Sequence, residues 1–113
     1  MEISLIKKHM EASPYILGDI LNIMKYRNLR TEQAYYARLA YEYDHVDFSK
    51  QCKEVRNAGE FARGYWKTKS EQLDRDRRET HNKALISYNS ILNVGKENGL
   101  PQLFSGKTLT NEV

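Results

Sequence analysis

The stretch FSKQCKEVRNAGEFARGYWKTKSEQL, Phe48 to Leu73, decides the fold class. Within it Phe48, Cys52, Val55, Gly59, Ala62, Trp66, Lys69 and Leu73 recur at spacings of four and three without a break. That period places them on one face of an α-helix. The small residues Gly59 and Ala62 in mid-stripe predict close approach by another helix backbone or an aromatic ring, and Trp66 is the expected core anchor. Cys52, on the same stripe, reads as a small buried hydrophobe rather than a reactive thiol.

Downstream, DRDRRETHNK (Asp74 to Lys83) holds no hydrophobic residue, but also no Gly or Pro. Glu71 with Arg75, Asp74 with Arg78 and Glu79 with Lys83 are i,i+4 pairs in the favourable order, each worth about 0.2–0.5 kcal/mol in a helix. A helix from Phe48 to Asn98 would run roughly 75 Å at 1.5 Å per residue, too long for a compact monomer of this size. A break at Thr80 to Asn82, with Thr80 as cap, is therefore expected, and an extended hairpin inside a dimer is the alternative. The last helix carries Ala84, Leu85, Tyr88, Ile91, Leu92 and Gly95 on one face. It ends at Gly99, suited to the left-handed position, with Leu100 folding back and Pro101 forbidding continuation. After Phe104 little remains to bury, so 105–113 is expected to be a flexible tail and 1–104 a single helical domain.

Upstream, Ile3, Ile6, Met10, Ser13, Leu17, Ile20 and Met24 follow the same three-and-four spacing, interrupted by Pro14. Ser13-Pro14 is a helix start signal, with Pro at the first helical position. A short helix Ile3 to Ala12 and a second from Pro14 to about Tyr26 are expected, a single kinked helix being the alternative. The polar stretch Tyr26 to Thr31 then separates a third helix, Glu32 to Tyr43, capped by Thr31. Its alanines and tyrosines cover nearly the whole circumference, which predicts a central helix. Asp44 to Asp47 is a connector, with Asp47 or Ser49 capping the next helix.

Composition agrees with one ordinary core in a chain of 113 residues. With a single cysteine there is no internal disulfide framework, and no window is apolar enough to cross a membrane, so a soluble, cytoplasmic protein is expected. The net charge of +3 is unevenly placed: six basic against seven acidic residues through Asp47, twelve against eight after it. Such asymmetry can mark a surface for an anionic partner, although acids interleave with the bases throughout.

Two constellations carry possible chemistry. Asp74, Arg78, His81 and Asn82 continue the stripe of Leu85, Tyr88 and Leu92 if the helix runs on. His81 can then act as acid, base or ligand, Asp74 can orient it, and Arg78 can hold a carboxylate or phosphate. A hydrogen-bonded polar network explains the group equally simply, and no nucleophile is tied to it. The second is a basic ridge of Arg63, Lys67, Lys69, Arg75, Arg77, Arg78 and Lys83, with Tyr65 or Trp66 available to stack on a base. Glu60, Glu71, Asp74, Asp76 and Glu79 can neutralise it as a solvated face. His9, His45 and His81 are far apart and no metal-ligand spacing occurs, so no metal and no cofactor are expected. Gly106-Lys107-Thr108 lacks the upstream glycine, strand and following helix of a phosphate-binding loop.

Arg77-Arg78-Glu79-Thr80-His81-Asn82-Lys83-Ala84-Leu85, followed by Asn89, Leu92-Asn93 and Gly99-Leu100-Pro101, resembles a family of small helical bacterial proteins, mostly from Firmicutes, classed as a domain of unknown function. The resemblance covers the last third of the chain. It implies a bacterial cytosolic origin and a reason for Arg78, His81 and Asn82 to recur together, and it carries no activity.

The expected fold is thus an all-α bundle of four or five helices, or a helical-hairpin dimer. The leading functional expectation is a non-enzymatic interaction protein that self-associates or binds a protein partner. The Phe48 to Leu73 stripe and the tyrosine-rich third helix offer more apolar face than a short bundle covers. A small nucleic-acid-binding regulator using the ridge Arg63 to Lys83 is the alternative, and an enzyme centred on His81 ranks third.

Overall fold

The computed structural model describes residues 2–110, and among them there is no β-strand. The chain is all-α: α1 is Glu2–Ala12, one 3-10 turn covers Pro14–Ile16, α2 is Leu17–Asp44, α3 is Lys53–Glu97 and α4 is Lys107–Thr110.

The expected helix boundaries differ from the observed ones at two places. The second and third expected helices are one, because Tyr26 to Thr31 contains nothing that breaks a helix. Tyr26 is fully buried and Leu29 half-buried, so the inward stripe of Ile16, Ile20 and Ile23 runs through them to Tyr36, Ala40 and Tyr43. The expected break at Thr80 to Asn82 is also absent: α3 is continuous over 45 residues. Its i,i+4 charge pattern and lack of Gly or Pro outweigh the shortage of apolar residues there.

The described residues pack as two compact units, one made of the chain up to Arg27 with the chain from Arg78, the other of Asn28–Arg77. In the first unit Ile16 of the 3-10 turn and Ile20, Ile23 and Tyr26 of α2 meet Ala84 and Ile91 of α3 and Leu109 of α4. Ile6, Met10, Leu85, Tyr88, Val94, Leu103 and Phe104 pack around them. The single stripe expected across Pro14 does not hold, since Ile3, Leu17 and Met24 are exposed. Ser13 is extended (φ −149°, ψ 107°) and is followed by the 3-10 turn, which shifts the helical phase so that Ile16 and Ile23 face inward instead.

The C-terminal end of α3 forms as its residues dictate. Gly99 adopts φ 65°, Leu100 N–H donates to Gly95 O at 2.8 Å and Gly99 N–H to Lys96 O at 3.4 Å. This is the six-to-one, five-to-two bond pair that satisfies the last carbonyls of a helix. The segment expected as a tail is ordered into α4 within the described residues, and Leu109 is 1% exposed; residues 111–113 lie outside the described part. A single apolar side chain suffices for this, because a short helix needs only one anchor when the pocket is supplied by other elements.

In the Asn28–Arg77 unit the stripe of α3 holds from Gly59 to Leu73, both buried, with Ala62, Trp66 and Lys69 half-buried. Cys52 and Val55 are exposed, correcting the expectation of a buried thiol: α3 starts at Lys53, so Cys52 sits at the helix entrance, where its carbonyl accepts the Arg56 N–H at 2.9 Å. Phe48 lies in the connector and folds back onto Gly59, whose missing Cβ would overlap the Phe48 ring. The expected aromatic approach at Gly59 is therefore supplied by Phe48. Alanine at Gly59 is favoured in a helix by about 1 kcal/mol, but overpacking at such a contact costs typically 1–3 kcal/mol. Gly59→Ala is thus expected to lower the thermal midpoint while shifting the Phe48 ring resonances, and a raised midpoint would mean that Phe48 is not seated there.

Candidate functional site

Three features set the chemistry that this fold can offer: the polar residues of mid-α3, the basic residues flanking them, and the aromatic residues of the Asn28–Arg77 unit.

The four residues expected to form a polar site are on one continuous helix. Asp74 pairs with Arg77, three residues on, and lines an open polar depression of about 470 Å³ with Gln33, Ser70, Glu71 and Arg75. Arg78 and Asn82 are exposed. His81 is half-buried, its Nε2 is 3.0 Å from Leu109 O, and its ring lies 5.5 Å from that of Tyr26. A carbonyl oxygen only accepts, so His81 donates to it and is a latch for α4. Deeper in the same unit, Asn22 donates to the buried Ser87 hydroxyl at 3.0 Å. Arg27 secures the approach to α4, donating to Ser105 O at 2.8 Å and covering the Phe104 ring at 4.9 Å.

All three histidines are engaged with main-chain carbonyls. His9 Nδ1 is 3.0 Å from Leu5 O and His45 Nδ1 is 2.7 Å from Tyr41 O, both back-bonds to the preceding turn. Among the described residues no group of three His, Cys, Asp or Glu side chains gathers as a metal site. Asp47 has its carboxyl held below the usual carboxylate range, first by the Ser49 hydroxyl at 2.6 Å and then by the Ser49 N–H at 2.9 Å. This closes a turn within the connector, whereas the expected role was to cap the next helix, which starts only at Lys53.

Of the basic residues expected as a ridge, Arg63 and Arg77 are engaged by neighbouring groups. Arg63 donates to Tyr43 O at 3.2 Å and Val46 O at 2.9 Å, stands 3.6 Å from Asp44 and lies over the Phe48 ring at 5.4 Å. It ties the C-terminal end of α2 to α3, satisfying carbonyls that the helix end leaves open. Arg77 is paired with Asp74. Lys67 and Lys69, like Arg75 and Arg77, are two residues apart on one helix and so point to different sides. Lys67, Arg75 and Lys83 are exposed.

The aromatic residues do gather. Tyr35, Tyr36, Trp66 and Tyr65 form a continuous run of ring contacts across α2 and α3, with successive centroids 5.3, 5.4 and 4.7 Å apart. Tyr36 and Trp66 are the middle of the run, stacked at 29°, and Trp66 is half-buried. Tyr35 and Tyr65 are the outer members, 55% and 47% exposed, and Phe61, one turn before Tyr65, is 76% exposed. Trp66 is therefore an anchor, but of a surface and not of a closed interior. For the same reason Glu32 to Tyr43 is not a central helix: Ala40 is buried, while Tyr35 and Tyr41 face outward. Apolar periodicity predicts which residues share a face, but it cannot say whether a second layer is present to cover that face.

No helix is long and apolar enough to cross a membrane among the described residues. Set against known proteins, the chain matches no family model, no curated protein and no solved structure.

Proposed function

We propose that this chain is a non-enzymatic, cytoplasmic interaction protein that associates with a second copy of itself through the aromatic face of the Asn28–Arg77 unit. The observation that supports this is the mismatch between what the unit buries and what it exposes. Ala40, Gly59 and Leu73 are its buried residues, while Tyr35, Tyr41, Val46, Val55, Phe61 and Tyr65 are exposed. Helices bury an apolar stripe by packing in layers, and a pair of helices is one layer. Two such pairs stacked face to face make a four-helix arrangement, which is the usual way for a hairpin to acquire its second layer.

A second copy suits the surface for two reasons. The unit carries ten basic and nine acidic residues, a net of +1, so two copies meet without strong repulsion. Tyrosine, phenylalanine and tryptophan are also the residues enriched at the centres of protein interfaces, and Tyr35, Phe61 and Tyr65 bring ring area with few rotatable bonds. The bacterial family resemblance of Arg77 to Pro101 belongs to the same reading and bears on the other unit.

Light scattering tests the proposal. The native chain is expected at twice the monomer mass of 13.3 kDa, and Phe61→Glu with Tyr65→Glu is expected to return it to the monomer mass with helical content retained. A monomer at all concentrations overturns the reading. So does a dimer indifferent to these substitutions. A salt-sensitive shift of labelled DNA or RNA that Arg77→Glu with Arg78→Glu abolishes would replace it with nucleic-acid binding.

A further inference from the structure

His9 is on α1 with none of its surface exposed. Its Nδ1 faces Leu5 O at 3.0 Å and must carry the proton, since the carbonyl has none to give. In the neutral form of the ring, Nε2 then carries the lone pair. Nε2 is buried, and no donor among the described residues reaches it. A buried acceptor without a donor is uncommon in folded proteins and marks a place where a partner belongs.

The surroundings supply such a place. His9 lines a cavity of about 250 Å³ with Ile91, Leu92, Gly95, Leu100 and, at its edge, Lys96 and Gln102. The aliphatic side chains make most of the wall. Gln102 is held by donating its amide to the Tyr88 hydroxyl, and Leu100 is brought back over α3 by the Gly99 turn. Gly95 leaves the ring edge uncrowded: a Cβ there would stand 3.2 Å from His9 Nε2 and 3.6 Å from Leu100 O, tighter than an ordinary contact with the nitrogen.

We propose that this cavity binds a small, largely apolar molecule bearing a single hydroxyl donor, of the phenol class. The hydroxyl donates to His9 Nε2 and the ring packs on Ile91, Leu92 and Leu100. Size supports a single ring, since an apolar cavity of about 150 Å³ accommodates benzene and this one is larger. A carboxylate is the wrong partner, because it would bring lone pairs against the lone pair of Nε2.

The experiment is a titration of the full chain with phenol, following the His9 ring nitrogens and the methyl groups of Ile91, Leu92 and Leu100 by NMR. Saturable shifts at all of these are expected, with Nε2 moving upfield as it accepts the hydrogen bond. Toluene, similar in size but without the donor, is expected to bind about tenfold more weakly, the ratio that corresponds to about 1.4 kcal/mol. Leu92→Trp fills the cavity and is expected to abolish the shifts. Gly95→Ala places a methyl beside Nε2 and weakens binding by about the same tenfold, which keeps the test available should the tryptophan variant not fold. Absence of saturable shifts overturns the site. Equal binding of toluene and phenol, tighter binding of benzoate, or shifts that persist unchanged in Leu92→Trp or Gly95→Ala overturn it as well.

Discussion

Asn82→Pro is expected to destabilise the protein by about 3 kcal/mol or more, the penalty of proline in a helix interior. Asn82 lies well within the continuous α3, Lys53–Glu97, and its side chain is exposed, so the side chain itself contributes little. The effect is in the backbone. Proline removes the N–H that donates to the carbonyl four residues back, at Arg78, and its ring clashes with that carbonyl. The companion variant Asn82→Ala separates the two contributions, because it preserves the backbone and is expected to raise stability through helix propensity by about 0.5 kcal/mol. Urea unfolding of the pair measures the difference. A turn capped by Thr80 would accept proline in its first helical positions, so an unchanged midpoint in Asn82→Pro would restore the break that the charged sequence suggested.

Leu109→Ala is expected to cost about 2–5 kcal/mol, the range for removing a buried leucine side chain. Leu109 closes the cluster formed by Ile16, Ile20, Ile23, Tyr26, Ala84 and Ile91, and alanine leaves those side chains facing a void. Other attachments of the segment include the His81 bond to Leu109 O and the Arg27 contacts with Ser105 and Phe104. Each is a single polar or cation–π contact of about 1 kcal/mol. If the alanine variant undocks α4, the loss is capped at the free energy that docking contributes. The result would then be a thermal midpoint lower by several degrees, a changed His81 ring environment and faster proteolysis near Gly106. A midpoint within a degree of the native value, with no new cleavage, would show that the core is complete without α4.

These two positions also show how far the amino-acid pattern could be read. At Asn82 local preference and length conflicted. The i,i+4 charge pairs favoured helix, whereas compactness favoured a break, and the local preference prevailed because nothing in Asp74 to Lys83 terminates a helix. At Leu109 the pattern carried almost no signal, since one apolar residue in a polar segment has no period. Its burial depends on the cleft that Ile16, Ile20, Tyr26 and Ala84 leave, and on His81 to receive the segment's carbonyl. In the four-residue polar group, Asp74 is engaged by Arg77, three residues on, and His81 by the Leu109 carbonyl, a partner distant in sequence that helical spacing does not reveal.

What the sequence alone determined is the all-α class, the start at Pro14, the stop at Gly99 and Pro101, and the inward stripe from Gly59 to Leu73. All of these are set by neighbours within a few residues, through backbone dihedrals and the 3.6-residue period. The tertiary structure alone decided that Tyr26 and Leu29 carry α2 through the expected gap, that Phe48 fills the space above Gly59, and that Arg63 serves helix ends. It also decided that His9 Nε2 is enclosed facing a cavity and that Tyr35, Phe61 and Tyr65 stay uncovered. Each of those depends on residues distant in sequence, and on whether a second layer exists to bury a face, which periodicity does not encode.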